Sequence, residues 1–183
     1  MAGKTTFIKT IGINIILSQN LGICLAESAN IPKVNVKSSI NRQEDLSQNQ
    51  SYYFKEIEAI LQFIRYSEND YRYCFLIDEI FRGTNTLERL SASTAVLDFL
   101  SDKNLILVTT HDIELQELLN GKFEIYHFNE QLDNNVHYFD YKIKHGPCST
   151  RNAIRLLDLK GYPKTIIEKA LKYCEKLSAT KMI

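Results

Sequence analysis

Two apolar runs of strand length, each ending abruptly in polar residues, constrain this chain more than any other feature. Tyr73-Cys74-Phe75-Leu76-Ile77 runs into Asp78-Glu79, and Leu105-Ile106-Leu107-Val108 runs into Thr109-Thr110-His111-Asp112. An apolar run without polar interruption reads as a strand covered on both faces, the habit of parallel sheets. Helical patterns lie between and around these strands. Phe7 to Leu17 is apolar, and Ser51 to Tyr66 places Phe54, Ile57, Ile60, Leu61 and Ile64 at helical spacing. Asn85 to Leu100 gathers Leu87, Leu90, Ala95, Leu97 and Leu100 on one face, and Asp112 to Leu119 is short and amphipathic. Val34 to Ile40 alternates like a half-buried strand. Strands alternating with helices make the class α/β.

The rest of the chain follows from its punctuation. Gly22 to Ala26 reads as a short connection or a strand, and the polar stretch from Asn41 to Gln50 as a loop. Phe123 to Phe128 and Val136 to Ile143 alternate around Asp133-Asn134-Asn135, which predicts an antiparallel hairpin. Two helices, Thr150 to Lys160 and Pro163 to Leu177, meet at Gly161-Tyr162-Pro163, with Gly closing one and Pro opening the next.

Composition narrows the function classes. At 183 residues, 44% hydrophobic and 24% charged, the chain has the length and balance of one globular domain with a sizeable core. Its 22 basic and 22 acidic residues cancel, whereas a domain gripping DNA through phosphates needs a basic excess. Any DNA contacts are therefore expected outside these residues. Cys24, Cys74, Cys148 and Cys174 form no C-x-x-C pair and read as incidental thiols in a reducing cytoplasm. No apolar run approaches the roughly 18 residues of a spanning helix, and Lys4 and Lys9 speak against a signal peptide.

Three polar clusters carry the chemistry. Met1-Ala2-Gly3-Lys4-Thr5-Thr6 matches the last part of G-x-x-x-x-G-K-[ST]. In the whole motif, backbone N–H groups surround phosphates, the lysine reaches the β/γ-phosphates and the hydroxyl holds Mg²⁺. The motif is cut within the loop, which leaves two options: a chain that belongs to a longer protein, or a later methionine taken as the start. Asp78, at the end of a buried strand, is placed to serve a Mg²⁺ shell, and Glu79 to act on water as a general base. His111, at the next strand end, can donate to a γ-phosphate. Each cluster also has a plainer reading: a helix start, a charged turn, and an exposed or structural histidine. Their recurrence at successive strand ends favours the functional one.

The motifs in order resemble the C-terminal ATPase domain of the MutS family. Met1 to Phe7 is similar to N-M-[AS]-G-K-S-T-[FL], and Asp78-Glu79-Ile80-Phe81-Arg82-Gly83-Thr84-Asn85-Thr86 to D-E-[IL]-G-R-G-T-S-T. Thr110 to Leu115 is similar to T-H-[YF]-x-E-L, and Glu44-Asp45-Leu46 through Ser51 to Glu56-Ile57 follows D-D-L-x-x-G-x-S-T-F-x-x-E-M without gaps. Phe81, Asn49, Tyr52, Tyr53 and Ser149 to Ala153 depart from the usual residues, as in a divergent MutS-related protein.

The resemblance implies an ABC-type P-loop NTPase sheet flanked by helices, over residues 1–147, with a helix-turn-helix dimerisation tail over 148–183. It implies ATP and Mg²⁺ as cofactors and a homodimer in which Met1, Ala2, Gly3, Lys4, Thr5 and Thr6 bind nucleotide. Thr5 and Asp78 would hold Mg²⁺, with Glu79 and His111 catalytic. Ser51 would reach the partner's nucleotide, although Ser also suits a plain helix cap. Arg82, Gly83, Thr84 and Asn85 would couple the subunits. The expectation is thus an ATP-hydrolysing part of a cytoplasmic MutS-like DNA repair protein, contacting DNA through regions outside this chain. The alternatives are another ABC-type ATPase, serving a transporter or chromosome organisation, and a nucleotide-gated dimerisation module without turnover.

Overall fold

The computed structural model describes residues 3–40, 49–133, 136–148 and 153–180. Their contacts divide into two compact units, Gly3–Ile125 and Tyr126–Ile183.

The first unit holds three parallel strands, β1 (Asn35–Ser39), β2 (Tyr73–Asp78) and β3 (Leu105–Thr109), in that spatial order. Asn35 aligns with Tyr73, and Cys74 with Leu105, so β2 is the central strand. From Tyr73 to Ile77 it is buried at every position, as its unbroken apolar run requires. Helices α1 (Lys4–Leu21), α2 (Asn49–Ser67), α3 (Thr86–Ser101) and α4 (Ile113–Leu118) accompany these strands.

Two apolar clusters use opposite sides of β2, because successive side chains on a strand alternate. Phe75 and Ile77 join Ile60 and Phe63 of α2, Leu97 and Leu100 of α3, and Leu115 of α4. Cys74 and Leu76 face the other way, toward Ile15 of α1 and Val34. On the first side Phe63 stacks on Phe75 with ring centroids 4.6 Å apart.

The helix ends have local causes. Gly22 closes α1 in the left-handed region at φ 68°, its N–H returning to the Ser18 carbonyl at 3.0 Å. Gln19 then ties α1 to the start of the sheet, accepting from the Val34 N–H at 2.9 Å and donating to its carbonyl at 3.0 Å. At α3 the Asn85 side chain accepts the Glu88 N–H at 3.0 Å, while Thr84 donates to the Glu88 carboxylate at 2.8 Å. That reciprocal arrangement is a variant of the capping box.

In the second unit β4 (Tyr126–Asp133) and β5 (Val136–His145) pair antiparallel, from Tyr126 with His145 to Asp133 with Val136. Helices α5 (Ala153–Leu159) and α6 (Lys164–Thr180) follow, joined through Gly161 at φ 79°.

The α/β class stands, but the expected ABC-type P-loop NTPase sheet is corrected. The described residues form a small three-stranded parallel sheet, and β4–β5 is a separate two-stranded sheet. The physical reason lies in the hairpin. Each of its strands pairs with its neighbour in sequence, a local antiparallel ladder, and among the described residues that ladder is separate from the one joining β1–β3.

Candidate functional site

The site forms where α1 begins and where β2 and β3 end. Gly3 takes φ 88° at the N-cap of α1, a left-handed geometry that costs glycine nothing, and its carbonyl receives the Phe7 N–H at 2.9 Å. The turn sends Lys4 and Thr5 toward the tips of the strands.

The Thr5 hydroxyl donates to Asp78 Oδ2 at 2.8 Å, and Thr109 at the end of β3 donates to Asp78 Oδ1 at 2.5 Å. Both carboxylate oxygens are thereby oriented by hydroxyls from two different elements. Lys4 Nζ donates to the Thr110 carbonyl at 3.0 Å and lies 3.2 and 3.3 Å from the two ring nitrogens of His111.

Glu79 follows Asp78 with φ 60°, and its N–H reaches the Thr109 carbonyl at 3.1 Å. Left-handed backbone in a non-glycine residue is uncommon and concentrates at functional turns. The Glu79 carboxylate accepts from Arg82 Nε at 2.5 Å, pairs with the same guanidinium through a second nitrogen, and lies 3.3 Å from His111 Nε2. Arg82 and His111 are largely solvent-exposed, whereas Glu79 is half-buried.

Lys4, Thr5, Asp78, Glu79, Arg82 and His111, expected from the sequence, thus converge within one constellation. Others do not join it. Thr6 is exposed on the first turn of α1. Thr84 and Asn85 spend their side chains on the start of α3, and Gly83 packs against Tyr53. Met1, Ala2 and the Glu44-Asp45-Leu46 block lie outside the described residues. The backbone of Ser51 is the third residue of α2, because the helix begins at Asn49; Ser51 is therefore not the N-cap that the spacing predicts.

Three supporting residues were given no role from sequence, although Glu56 was matched to the family block. Thr109 is buried under Asp78. Arg89 on α3 grips Asp112 bidentately, Nε to Oδ2 at 3.0 Å and a terminal nitrogen to Oδ1 at 2.8 Å. That pair fixes the turn carrying His111, since the Asp112 N–H also bonds the Thr110 hydroxyl at 2.9 Å. The available signal was an arginine set between Leu87 and Leu90 of an apolar helix face, with an acid directly after the strand tip. Glu56 is the third. It sits inside the first unit, 7% exposed, and accepts the Phe81 N–H at 2.6 Å. Burial raises its pKa above the ordinary 4.5, against bonds from the Phe81 and Arg82 backbone that lower it.

In chemical terms, the constellation offers an ammonium, a hydroxyl–carboxylate pair of hard oxygen donors, and a second carboxylate held by a guanidinium and an imidazole. Among the described residues no cluster of three or more His, Cys, Asp or Glu could hold a metal by itself. No helix among them is long and apolar enough to cross a membrane.

Comparison with known proteins finds relatives along nearly the whole chain. The family described as MutS domain V matches residues 1–178. The DNA mismatch repair protein MutS of Caldicellulosiruptor saccharolyticus is 30% identical over 185 residues, covering 97% of this chain and 21% of that protein. The MutS of Thermus thermophilus is 27% identical over 172 residues, covering 93% and 21%. That of Leptospira interrogans is 29% identical over 187 residues, covering 99% and 22%. The chain therefore spans about a fifth of the length of the curated relatives it matches. On the family match and these relatives, this chain belongs to the MutS family and corresponds to its domain V.

Proposed function

We propose that this chain binds MgATP and hydrolyses it as part of a MutS-like DNA mismatch repair protein. One observation carries the reading. Lys4 and Thr5, on the first turn of α1, meet Asp78 and Glu79 at the end of β2 and His111 just beyond β3.

Each residue has a role that its chemistry supports. Lys4 Nζ bonds a carbonyl and an imidazole, and a phosphate oxygen would make the stronger, charge-assisted bond. The first backbone N–H groups of α1 add a partial positive charge beside it. Thr5 Oγ1 and Asp78 Oδ2, 2.8 Å apart, are the hard oxygen pair that suits Mg²⁺, which draws only one or two ligands from protein. When bound, the metal would neutralise charge developing on the phosphates.

Glu79 is the base of the proposal. Water oxygen attacks the γ-phosphorus, the bond to the bridging oxygen breaks, and the water proton passes to the Glu79 carboxylate. Arg82 and His111 hold that carboxylate between them.

A homodimer is part of the same proposal. Ser51, in the first turn of α2, would contact the nucleotide of the partner, and Arg82 to Asn85 would lie beside the shared site. Exposed Ile166, Leu171, Tyr173 and Leu177 on α6 supply apolar surface for self-association. The equal numbers of basic and acidic residues support DNA contacts made elsewhere in the protein.

The test is single-turnover hydrolysis of MgATP by the full-length protein, beside Lys4→Ala and Asp78→Asn. The expected outcome is turnover that is lost with EDTA, with loss of nucleotide affinity in Lys4→Ala and a slowed chemical step in Asp78→Asn. Wild-type protein no faster than both variants would overturn the reading.

A further inference from the structure

Helix α2 does more than cover the sheet: it reaches the turn that carries Glu79 at two points. Glu56, five residues after Ser51 on α2, accepts the Phe81 N–H at 2.6 Å. Tyr53, one turn earlier, closes on Gly83 so tightly that a Cβ there would lie 2.7 Å from the Tyr53 Cβ. The segment so held contains two left-handed non-glycine residues, Glu79 at φ 60° and Phe81 at φ 57°.

Such a backbone does not hold itself. Each of those conformations is unfavourable for a residue with a side chain and persists only where its surroundings impose it. The surroundings are identifiable. Ile80 and Phe81 are buried in the same apolar cluster as Ile60 and Phe63 of α2. The Phe81 N–H, which the turn directs inward, has the Glu56 carboxylate as its acceptor. A carboxylate is a costly choice for this place. Glu56 is almost fully buried, and its second oxygen has no hydrogen-bond partner. A residue chosen for packing alone would be apolar here, so the carboxyl group is retained for what it bonds.

We propose that Glu56 is a positioning residue for hydrolysis, clamping the Glu79–Gly83 turn to α2 so that the Glu79 carboxylate is held at the strand end. This rests on the reading of Glu79 as the base, and it goes beyond it by assigning the geometry of that base to a residue remote from the nucleotide. Glu56 bonds neither Lys4, Thr5 nor Asp78, so nucleotide affinity should survive its loss. Because the bond needs an acceptor at that point rather than a charge, Gln should replace Glu, and Ala and Asp should not. Asp is shorter by one methylene and withdraws its oxygens from Phe81.

The experiment compares Glu56→Gln, Glu56→Ala and Glu56→Asp in the full-length protein, beside Glu79→Gln. It measures single-turnover hydrolysis of MgATP, the Kd for a non-hydrolysable ATP analogue, and folding by circular dichroism. Expected are a Kd within about threefold of wild type in every variant and a rate down roughly 10- to 100-fold in Ala and Asp, as for a misplaced catalytic group. Gln should keep a rate within about threefold. A purely structural role would lower the active fraction rather than separate rate from affinity. Folded Asp or Ala variants with wild-type rates overturn the inference while leaving the Glu79 reading intact, provided Glu79→Gln is slow. If Ala fails to fold, Asp decides, and if both fail, a Gln variant as slow as Glu79→Gln overturns it and a near-wild-type Gln variant supports it. Wild-type protein that does not hydrolyse MgATP overturns both readings together.

Discussion

The Thr5 hydroxyl donates to the Asp78 carboxylate across 2.8 Å, joining the first turn of α1 to the end of the central strand. Residues 73 positions apart in sequence are thereby held at hydrogen-bond distance, and a second hydroxyl, from Thr109, fixes the other oxygen of the same carboxylate. The consequence is a site assembled from the start of α1 and the ends of β2 and β3.

Glu79→Gln should leave nucleotide affinity near wild type and slow single-turnover hydrolysis by roughly two to four orders of magnitude, the range for losing a general base. Gln keeps the size and can still accept from Arg82, so the turn should be undisturbed. Rapid-quench measurement with excess enzyme checks this, and an unchanged rate removes Glu79 from the chemistry.

The Arg89–Asp112 pair should show a coupling energy of about 1 kcal/mol in a double-mutant cycle of Arg89→Ala and Asp112→Ala. Exposed pairs contribute less, but here the side chains are only about a fifth exposed (20% and 23%) and the bond is bidentate. Denaturant midpoints of the four proteins give the number. Strict additivity would mean that the pair does not anchor the turn bearing His111.

Glu56 carries a pH signature. Its folded pKa is raised above the ordinary 4.5, so the folded state holds the proton more tightly than the unfolded one. Stability from this group is therefore full at low pH and falls as pH rises from about 4.5 through the folded pKa. Glu56→Gln cannot ionise and escapes that fall. The stability of Glu56→Gln relative to wild type should increase from pH 4 to pH 7, as read from urea midpoints. A difference that is flat or reversed over this range would contradict the direction of the shift.

How much of this was legible in the sequence depends on whether a feature was local. Unbroken apolar runs placed β2 and β3 within a residue, although only β2, the central strand, is buried along its length; β3 lies at the edge of the sheet with Leu105 exposed. The first helix was read from Phe7, where its apolar residues start, but it begins at Lys4, since the Gly3 turn and not hydrophobicity sets its start. Reading Phe123 to Phe128 as a strand shifted β4, which spans Tyr126–Asp133. Pairing with β5 draws Glu130 to Asp133, three of them polar, into the ladder, while Phe123 packs on the core of the first unit. The ABC-type sheet came from family likeness, and alternation alone cannot say which strand another will pair with. The same limit hid Arg89 and Glu56, whose partners lie 23 and 25 residues away.

Gly12→Ala weighs two effects against each other. Ala is favoured over Gly in a helix interior by about 1 kcal/mol. A Cβ at Gly12, however, would lie 2.4 Å from Leu76 Cδ1, and Leu76 is buried on the central strand. Overpacking of that kind costs about 1–3 kcal/mol, so the net change should be destabilising by about 1 kcal/mol. Adding Leu76→Val, which shortens the colliding branch, should recover part of the loss. Thermal melts of the single and double variants check the order, and a Gly12→Ala protein more stable than wild type would show that Leu76 turns aside freely.

The shared-site proposal separates from a one-subunit site in a mixing experiment. A Lys4→Ala subunit should not grip ATP, while a Ser51→Ala subunit grips it but offers no serine to its partner. In the mixed dimer, the site built on the intact Lys4 also faces the intact Ser51, so one complete site forms. If half the protein is in mixed dimers, each with one good site of two, activity should return to roughly a quarter of wild type. If Ser51 serves only its own helix, as its place in the first turn of α2 allows, Lys4 and Ser51 never combine across subunits. Mixtures would then show the sum of the separate activities and nothing more, even after subunit exchange is verified with differently tagged chains, and the shared-site proposal would fail.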